Sequence, residues 1–322
     1  MPTDINRRQA IAACVAILTS TKLVGAAGQY QLSPRSHPSP IGTLAATPAS
    51  TSPNPASPIC VFTKPFNSLS FDDLADRIAE LGFDGIEAPV RKGGHVEPAE
   101  VADKLPELVD ALAKRKLKIT VLTSDINNPS DPDTARILKV AAGLGIQRYR
   151  MKYFKYDLSK PVFEQLNQWR SKFQELAAMN REIGIQALYQ NHAGGNTLGA
   201  PLWDLNQVLD GIDVNEIGVA YDIRHAQVEG GKSWPITFNM LRPHIDTVYI
   251  KDFAWEGGKV KNVPLGKGLV DREFFSMLAK TGFNGPISLH EEYLDHRKPE
   301  LVPDHLAAIK QDLATLRTLL KV

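Results

Sequence analysis

The feature that most constrains the fold is a steady alternation of short apolar segments with amphipathic segments, which starts at Ile59 and runs to the end of the chain. The apolar segments have the length of strands, and the amphipathic ones have the period of helices. We predict strands at 59–64, 85–90, 118–124, 148–153, 185–191, 217–222, 247–252 and 286–292. We predict helices at 70–81, 98–115, 131–143, 161–182, 201–210, 235–242, 271–281 and 303–320.

Eight strands that alternate with eight helices over about 260 residues fit a closed (β/α)8 barrel. Helix starts are marked by Ser70 and by Asp131 before Pro132, and Gly184 ends a helix before the next strand. An open doubly wound sheet is the alternative, but the strand count and the lack of a glycine-rich phosphate loop favour the barrel. We therefore predict an α/β fold with a TIM barrel over residues 59–322.

The first residues have the pattern of an export signal. Arg7 and Arg8 precede a mildly apolar run at 10–18, and small residues follow at 24–27. This pattern is typical of a twin-arginine signal peptide, which we place at residues 1–28. Lys22 interrupts the apolar stretch, so no stable membrane span is expected. We therefore predict an exported, periplasmic protein.

Residues 29–58 are rich in Pro, Ser, Thr and Ala, with seven prolines between Pro34 and Pro58. Such a segment cannot bury a core, and we predict a disordered linker. Removal of the signal would leave Cys60 as the sole cysteine, which excludes an intrachain disulfide. The net charge of +1 gives no electrostatic reason to expect nucleic acid or an anionic membrane as partner.

Polar residues follow seven of the eight predicted strands, at the barrel face where such folds place their active sites. They are Glu87, Asp125, Arg150, Lys152, Gln190, His192, Asp222, His225, Tyr249, Lys251, His290 and Glu292. The pair Asp222 and His225 suits a divalent metal or a sugar hydroxyl, and a helix-capping Asp with an exposed loop His is the alternative. The recurrence of polar strand ends predicts a pocket.

Aromatic residues and one glycine-rich segment add weaker signals. Phe66, Trp234 and Trp255 are predicted in loops after strands one, six and seven, where an exposed ring could stack on a sugar. Trp169 and Trp203 are predicted on helices and assigned to the core. The segment 266–268 is either a phosphate-binding loop or a tight turn that leads to a helix cap at Asp271.

The chain resembles the xylose isomerase-like TIM barrels, a superfamily of sugar isomerases and epimerases that also includes AP endonucleases. The resemblance covers residues 59–322. It rests on Leu81-Gly-Phe-Asp-Gly-Ile-Glu87, Tyr189-Gln-Asn-His192, Tyr221-Asp-Ile-Arg-His225, Tyr249-Ile-Lys-Asp252, Pro264-Leu-Gly-Lys-Gly268-Leu-Val-Asp271 and Gly285-Pro-Ile-Ser-Leu-His290.

The resemblance implies a divalent metal held by strands five to eight, at positions occupied here by Gln190, Asp222, Tyr249 and His290. Only Asp222 matches the family's ligand type. A site made by Gln190, Asp222 and His290 could hold Mn, Zn or Mg, but the loss of two negative charges weakens a hard cation's binding. A metal-loaded site and a metal-free site both remain open.

The resemblance also implies acid–base chemistry next to a carbonyl. We expect His290 to move the proton, because imidazole titrates near neutrality, with Glu292 beside it. Lys251 or Lys152 could stabilise an enolate oxygen, although an ion pair with Asp252 or a neighbouring carboxylate explains Lys251 equally well. The expected carbohydrate contacts are Glu87, Lys152, His192, His225, Trp234 and Trp255.

The sequence therefore predicts an enzyme that isomerises or epimerises a sugar or keto-sugar. A 3-keto-glycoside lyase on the same fold and a catalytically silent sugar-binding barrel are the alternatives. The AP endonuclease branch is disfavoured, because it needs a multi-zinc cluster and a basic groove. The oligomeric state stays open.

Export by the twin-arginine route predicts that replacing both Arg7 and Arg8 with Lys traps the protein in the cytoplasm. The physical reason is that the signal is read by its paired guanidinium groups, which lysine does not reproduce. Cell fractionation with immunoblotting measures the distribution. A double variant that still reaches the periplasm would show that the signal assignment is wrong.

Overall fold

The computed structural model describes residues 57–321. The predicted signal peptide at 1–28 and most of the predicted linker, residues 29–56, lie outside the described residues, so both assignments stay predictions. No helix within the described part of the chain is long and apolar enough to cross a membrane. The rest of the chain folds into the predicted barrel.

In chain order the strands are β1 Ile59–Phe62, β2 Gly85–Pro89, β3 Lys118–Thr123, β4 Arg148–Arg150, β5 Gln186–Gln190, β6 Ile217–Asp222, β7 Ile245–Ile250, β8 Asp252–Glu256, β9 Lys259–Val263 and β10 Ile287–Leu289. Eight of them close a parallel barrel in the order β1-β10-β7-β6-β5-β4-β3-β2. These eight confirm the predicted barrel strands. An antiparallel hairpin of β8 and β9, which the sequence did not predict, is inserted after β7.

The helices are α1 Phe71–Leu81, α2 Val101–Ala113, α3 Pro132–Gly143, α4 Val162–Ile183, α5 Trp203–Leu209, α6 Ile223–Gly230, α7 Trp234–Leu241, α8 Glu273–Lys280 and α9 Val302–Leu319. Eight of them confirm the predicted helices. Local signals set their ends, as in α1, where the Ser70 hydroxyl accepts a hydrogen bond from the backbone of Asp73 and Gly82 ends the helix at φ 81°.

Helix α6 corrects the predicted loop position of His225. The carboxylate of Asp222 accepts a hydrogen bond of 3.1 Å from the backbone N–H of His225 and so caps the helix. The capping role considered for Asp222 is therefore real, whereas His225 is buried on a helix rather than exposed on a loop. Both residues face the end of the barrel that carries the site.

The barrel interior is filled by a small apolar layer of Val121, Leu188, Ala220 and Tyr249. A larger core lies between the strands and the helices. This layer fills the barrel below the strand ends, as side chains do in the packed interiors of such barrels. The polar side chains above it therefore form the floor of a pocket.

The aromatic predictions are only partly right. Trp234 is 2% exposed, because it begins α7 and packs against Phe238 and Phe274, so its predicted loop position is wrong. Phe66 is also fully buried. Trp169 lies in the core as predicted, whereas Trp203 is 59% exposed on α5.

The segment that follows the hairpin is organised by the buried carboxylate of Asp252. It accepts hydrogen bonds from the backbone N–H groups of Phe253, Gly266, Gly268 and Val270, at distances of 2.8–3.0 Å. These N–H groups are occupied, so the tight turn is the correct reading of 266–268 and the phosphate-binding loop is wrong. The turn leads to Asp271, which accepts from the backbone of Glu273 at the start of α8.

The close packing of this turn predicts opposite effects for two Gly→Ala changes. A Cβ at Gly268 would lie 2.3 Å from the carbonyl oxygen of Phe253, so Gly268→Ala should lower the free energy of unfolding by about 1–3 kcal/mol. A Cβ at Gly143, the last residue of α3, meets no atom within 4 Å. Gly143→Ala should therefore raise stability by up to about 1 kcal/mol. Urea denaturation followed by circular dichroism measures both, and equal effects of the two changes would contradict the packing argument.

Candidate active site

A cavity of about 160 Å³ opens among the strand ends. This volume corresponds to about five water molecules, which is the scale of a small organic substrate. The cavity is lined by Phe62, Lys64, Arg91, Arg150, Tyr153, Gln190, His192, Lys251, His290 and Glu292. Five of these, Gln190, His192, Lys251, His290 and Glu292, are predicted site residues, so the pocket forms where the polar strand ends predicted it.

The charged centre of this cavity is Lys251, the residue after β7. Its Nζ lies 2.8 Å from Oε2 of Glu292 and 3.3 Å from Oδ2 of Asp222, and the side chain is 4% exposed. Burial alone would lower the pKa of Lys251, but the two carboxylates outweigh it and raise the pKa above its ordinary value. The ion-pair reading of Lys251 is correct, with Asp222 and Glu292 rather than Asp252 as partners.

The carboxylate of Glu292 serves mainly to hold this ammonium group. Burial would raise the pKa of Glu292, but Lys251 and the neighbouring His290 ring lower it to well below the ordinary value. Glu292 therefore stays ionised at neutral pH and cannot donate a proton. Its predicted catalytic role is replaced by an electrostatic one.

The second acidic group, Glu87 on β2, is fully buried and takes no part in lining the cavity. It accepts hydrogen bonds from the hydroxyls of Thr123 and Ser288, at 2.6 and 2.8 Å, and from Nε2 of His290, at 2.8 Å. Burial would raise the pKa of Glu87, but His290 and Arg150 lower it to about 2. The predicted contact between Glu87 and substrate is therefore wrong.

The geometry also argues against His290 as the proton-transferring residue. The ionised carboxylate of Glu87 can only accept, so Nε2 of His290 carries the hydrogen. Nδ1 of His290 is buried and has no hydrogen-bond partner among residues 57–321. Because neither nitrogen is both free and exposed to the cavity, His290 acts as part of the pocket wall.

The predicted metal ligands do not converge. The amide of Gln190 donates to Oδ2 of Asp222 at 2.8 Å, while its oxygen accepts from Nη1 of Arg150 at 2.8 Å and from the hydroxyl of Tyr153 at 2.5 Å. His290 points to Glu87 instead. Among the residues described by the structure, no group of three or more His, Cys, Asp or Glu side chains is arranged to hold a metal ion.

A divalent cation at this position would meet charge of its own sign. Asp222 already neutralises the Lys251 ammonium, and the Gln190 oxygen already faces the Arg150 guanidinium. A metal ion would have to displace both cations or lie beside them, and each arrangement carries a large electrostatic cost. The residues present therefore do not fit the predicted Mn, Zn or Mg site.

His192, after β5, has the geometry of a base. Its Nδ1 lies 2.8 Å from the carbonyl oxygen of Ala193, and a carbonyl only accepts, so Nδ1 carries the hydrogen. Nε2 then has a free lone pair and no partner within the described residues. Burial, and next the charge of Lys251, lower the pKa of His192 to about 4, so the ring is neutral at pH 7.

His225 packs against the ring of His192 and holds the backbone beside it. Its ring centroid lies 4.0 Å from that of His192, and its Nδ1 accepts a hydrogen bond of 3.1 Å from the backbone N–H of Ala193. His225 is 3% exposed and does not line the cavity. The predicted substrate contact of His225 is therefore replaced by a positioning role.

The remaining predicted contacts lie outside the cavity. Lys152 is exposed and does not line it. Trp234 is in the core, as described above. Trp255 is 52% exposed on β8 and packs against Phe253. It does not line the cavity, so its sugar contact stays a prediction.

Several lining residues were given no role in the predicted site. Lys64 and Arg91 each lie two residues after a strand, beyond β1 and β2, and Tyr153 lies three residues after β4. Arg150, the last residue of β4, was named among the polar strand ends but was assigned no role. The rule that barrel sites lie at strand ends would have found the other three if it had been extended three residues into each loop. The guanidinium of Arg150 also lies 5.8 Å from the centroid of Phe62, which completes the wall.

The chain is a TIM barrel: its parallel strands form a closed barrel, and polar side chains at the strand ends line a pocket. Residues 75–319 match the family model described as xylose isomerase-like TIM barrel. The chain therefore belongs to this family of TIM barrels. A comparison with curated protein sequences gives no significant match.

Solved structures give the same fold. A probable 3-DHS dehydratase from Bacillus anthracis has a TM-score of 0.63 at 17% identity, covering 80% of this chain and 98% of its own. A 3-keto-D-glucoside 4-epimerase from E. coli has 0.61 at 16%, covering 81% and 99%. A D-psicose 3-epimerase from Clostridium cellulolyticum H10 has 0.59 at 14%, covering 82% and 99%. At these identities the likeness establishes the fold.

The tautomer of His192 is directly measurable. We expect 15N-labelled protein to show a neutral His192 ring with the hydrogen on Nδ1, from about pH 8 down to about pH 5, because its pKa lies well below the ordinary value. Two-dimensional 15N–1H spectra report the state of both ring nitrogens, and a His192→Gln variant assigns the signals. A ring that becomes charged near pH 6.5, the ordinary value for histidine, would contradict the described environment.

Proposed function

We propose that this protein is an isomerase that moves a proton between carbons next to the carbonyl group of a carbohydrate. The observation that carries the proposal is the pairing of two groups in one cavity: the unprotonated Nε2 of His192 and the buried ammonium of Lys251. A base beside a fixed positive charge is what proton abstraction next to a carbonyl requires. The family membership supports a sugar substrate, as do the named epimerases of the same fold.

Lys251 supplies the charge that stabilises the intermediate. An ammonium group has three N–H donors. Glu292 accepts one of them at 2.8 Å, and Asp222 lies at an ion-pair distance of 3.3 Å. A further donor is available to the carbonyl oxygen of a substrate in the cavity. As the oxygen gains negative charge, this hydrogen bond strengthens in a site from which water is largely excluded.

The proton follows a single-base route. Nε2 of His192 removes a proton from the carbon next to the carbonyl, and the electrons of that C–H bond form the double bond of an enediolate. The negative charge resides on the oxygen that faces Lys251. The proton of the neighbouring hydroxyl group passes to the former carbonyl oxygen, and His192 returns its own proton to the former carbonyl carbon. The carbonyl group then lies on the neighbouring carbon, which completes the isomerisation. The lowered pKa of His192 keeps its ring unprotonated before the reaction and makes the protonated ring a ready donor for the return step. Because the same lowering weakens the base, the first proton removal depends on the charge of Lys251.

A single base favours isomerisation over epimerisation. Inversion at one carbon needs a second group that delivers a proton from the opposite face. Glu292 is the one carboxylate among the residues that line the cavity, and its strongly lowered pKa keeps it ionised. It therefore cannot supply that proton at neutral pH.

Elimination is the second candidate, because it starts from the same enolate. In that reaction the electrons of the intermediate expel a hydroxyl group from the next carbon, and water is lost. The similar fold of a probable dehydratase is the reason to retain elimination as a candidate reaction. A silent sugar-binding barrel is disfavoured, because nothing in simple sugar binding requires an ammonium buried between two carboxylates.

The N-terminal Arg7-Arg8 pattern adds a proposal about place. If the predicted signal acts, the protein folds before export and meets its substrate in the periplasm. A site built without a resident metal suits either compartment, since it needs no loading step.

The proposed function predicts a sharp effect of removing the base. With a panel of aldoses, ketoses and 3-keto-glucosides, together with sugar acids and sugar phosphates, in D₂O, the wild type should incorporate deuterium next to the carbonyl of its substrate. In His192→Gln the exchange rate should fall by about 10²–10⁴-fold, the usual worth of general acid–base catalysis, with little change in substrate affinity. NMR measures both the exchange and whether the product is an isomer or has lost water.

The matched control is His244→Gln, which makes the same change just before β7, at the other end of the barrel. It should leave the exchange rate unaltered. Because the charge is supplied by Lys251, the wild type should exchange at the same rate with and without EDTA. The proposal is wrong if no sugar of the panel exchanges, if His192→Gln keeps the wild-type rate, or if EDTA abolishes exchange.

A further inference from the structure

Two positive side chains at the mouth of the cavity have no role in the proton transfer described above. Lys64 follows β1 and Arg91 follows β2, so neighbouring strands place them side by side on one wall. Both line the 160 Å³ cavity, and both also line an adjoining cavity of about 640 Å³. They therefore stand at the junction between the reaction site and a larger outer space.

Within residues 57–321, no carboxylate lies within the 4.0 Å ion-pair distance of either side chain. The nearest negative influences are Glu292 for Lys64 and Asp125 for Arg91. Glu292 is already bonded to Lys251 at 2.8 Å. The two cations thus differ from Lys251, which the chain neutralises with carboxylates of its own.

The surroundings of the two cations are unfavourable to positive charge. Burial is the largest cause that lowers the pKa of both Lys64 and Arg91, and Arg150 lowers both further by repulsion. Like charges gathered in a partly dry wall destabilise the empty protein. A negatively charged ligand would reverse this cost, because it would gain two unpaired charge-assisted hydrogen-bond donors at once.

We infer that Lys64 and Arg91 bind an anionic group of the substrate, so that the substrate is a sugar acid or a sugar phosphate rather than a neutral sugar. The inference rests on the proposed function for the position of the reacting carbons, between His192 and Lys251. The anionic group then lies on the wall formed by β1 and β2. This arrangement orients the substrate and directs its carbonyl end into the inner cavity.

Carboxylate and phosphate share the chemistry that this wall recognises, and they differ in the space they need. A carboxylate attached to the sugar can be reached from the inner cavity alone. A phosphate on a terminal carbon would extend into the outer cavity, whose lining adds Lys92 and Arg297. Arg297 is already paired with Asp295 at 2.8 Å, so Lys64 and Arg91 remain the principal donors in both cases.

Binding rather than turnover tests the inference. D-glucose, D-glucuronate and D-glucose 6-phosphate are titrated into the full chain by calorimetry at constant ionic strength. We expect at least one of the two anions to bind about tenfold or more tightly than glucose, and Lys64→Met and Arg91→Met each to weaken that anion by about tenfold or more. The preference between the two anions separates the carboxylate from the phosphate.

The matched controls are two single changes at exposed cations, Lys139→Met on α3 and Arg242→Met just before β7. Each removes one positive charge, as Lys64→Met and Arg91→Met do, and each should leave anion binding unchanged. The same titration in His192→Gln should give wild-type anion affinity, so a failure of the proton-transfer proposal is distinguishable from a failure of anion binding. The inference is overturned if glucose binds as tightly as both anions, if neither anion binds, or if either control weakens binding as much as Lys64→Met and Arg91→Met do.

Discussion

The buried ammonium of Lys251 is the interaction on which the barrel mouth depends. It joins Asp222 of β6 to Glu292 beyond β10, and so links three neighbouring strand ends by charge. From Asp222 the polar contacts continue around the ring of strands. Hydrogen bonds join Asp222 to Gln190 and Gln190 to Arg150, an ion pair of 3.4 Å joins Arg150 to Glu87, and a hydrogen bond joins Glu87 to His290. Removing one member of such a buried network strands the others without partners, which typically costs about 3–5 kcal/mol. The site is therefore held by one continuous chain of polar contacts that runs from Glu292 to His290.

This chain of contacts also explains why the predicted metal site is not formed. Gln190 and His290 occupy positions where the family resemblance implies carboxylates. The positive charge that a metal ion would bring comes instead from Arg150 and Lys251, which contact Gln190 and Asp222. Lys251 and Arg150 supply positive charge that is permanent at neutral pH. The chemistry next to a carbonyl then draws on a covalently attached cation, whose position is set by folding rather than by an equilibrium with ions in solution.

The fold could be predicted from the sequence because strand and helix periods differ clearly, and each barrel strand carries a short buried run. The helix after β6 was missed because its polar residues, Arg224 and His225, look like loop residues until the carboxylate of Asp222 is seen to cap it. The pocket's location was predictable from strand ends, but its chemistry was not. The burial of Glu87 is decided by neighbours from other strands such as Ser288, and the free nitrogen of His192 by the orientation of its ring toward the carbonyl oxygen of Ala193. A residue pattern carries neither piece of information.

The insertion after β7 is closed at its base by the carboxylate of Asp252, which binds four backbone N–H groups. Its far end, the turn at Gly257 and Gly258, meets no other atoms that a Cβ would touch within 4 Å. The hairpin is therefore fixed by hydrogen bonds at its base, next to Lys251, and has open space around the glycines at its tip. A change in the length or sequence of the tip is therefore expected to leave the adjacent ammonium of Lys251 in place.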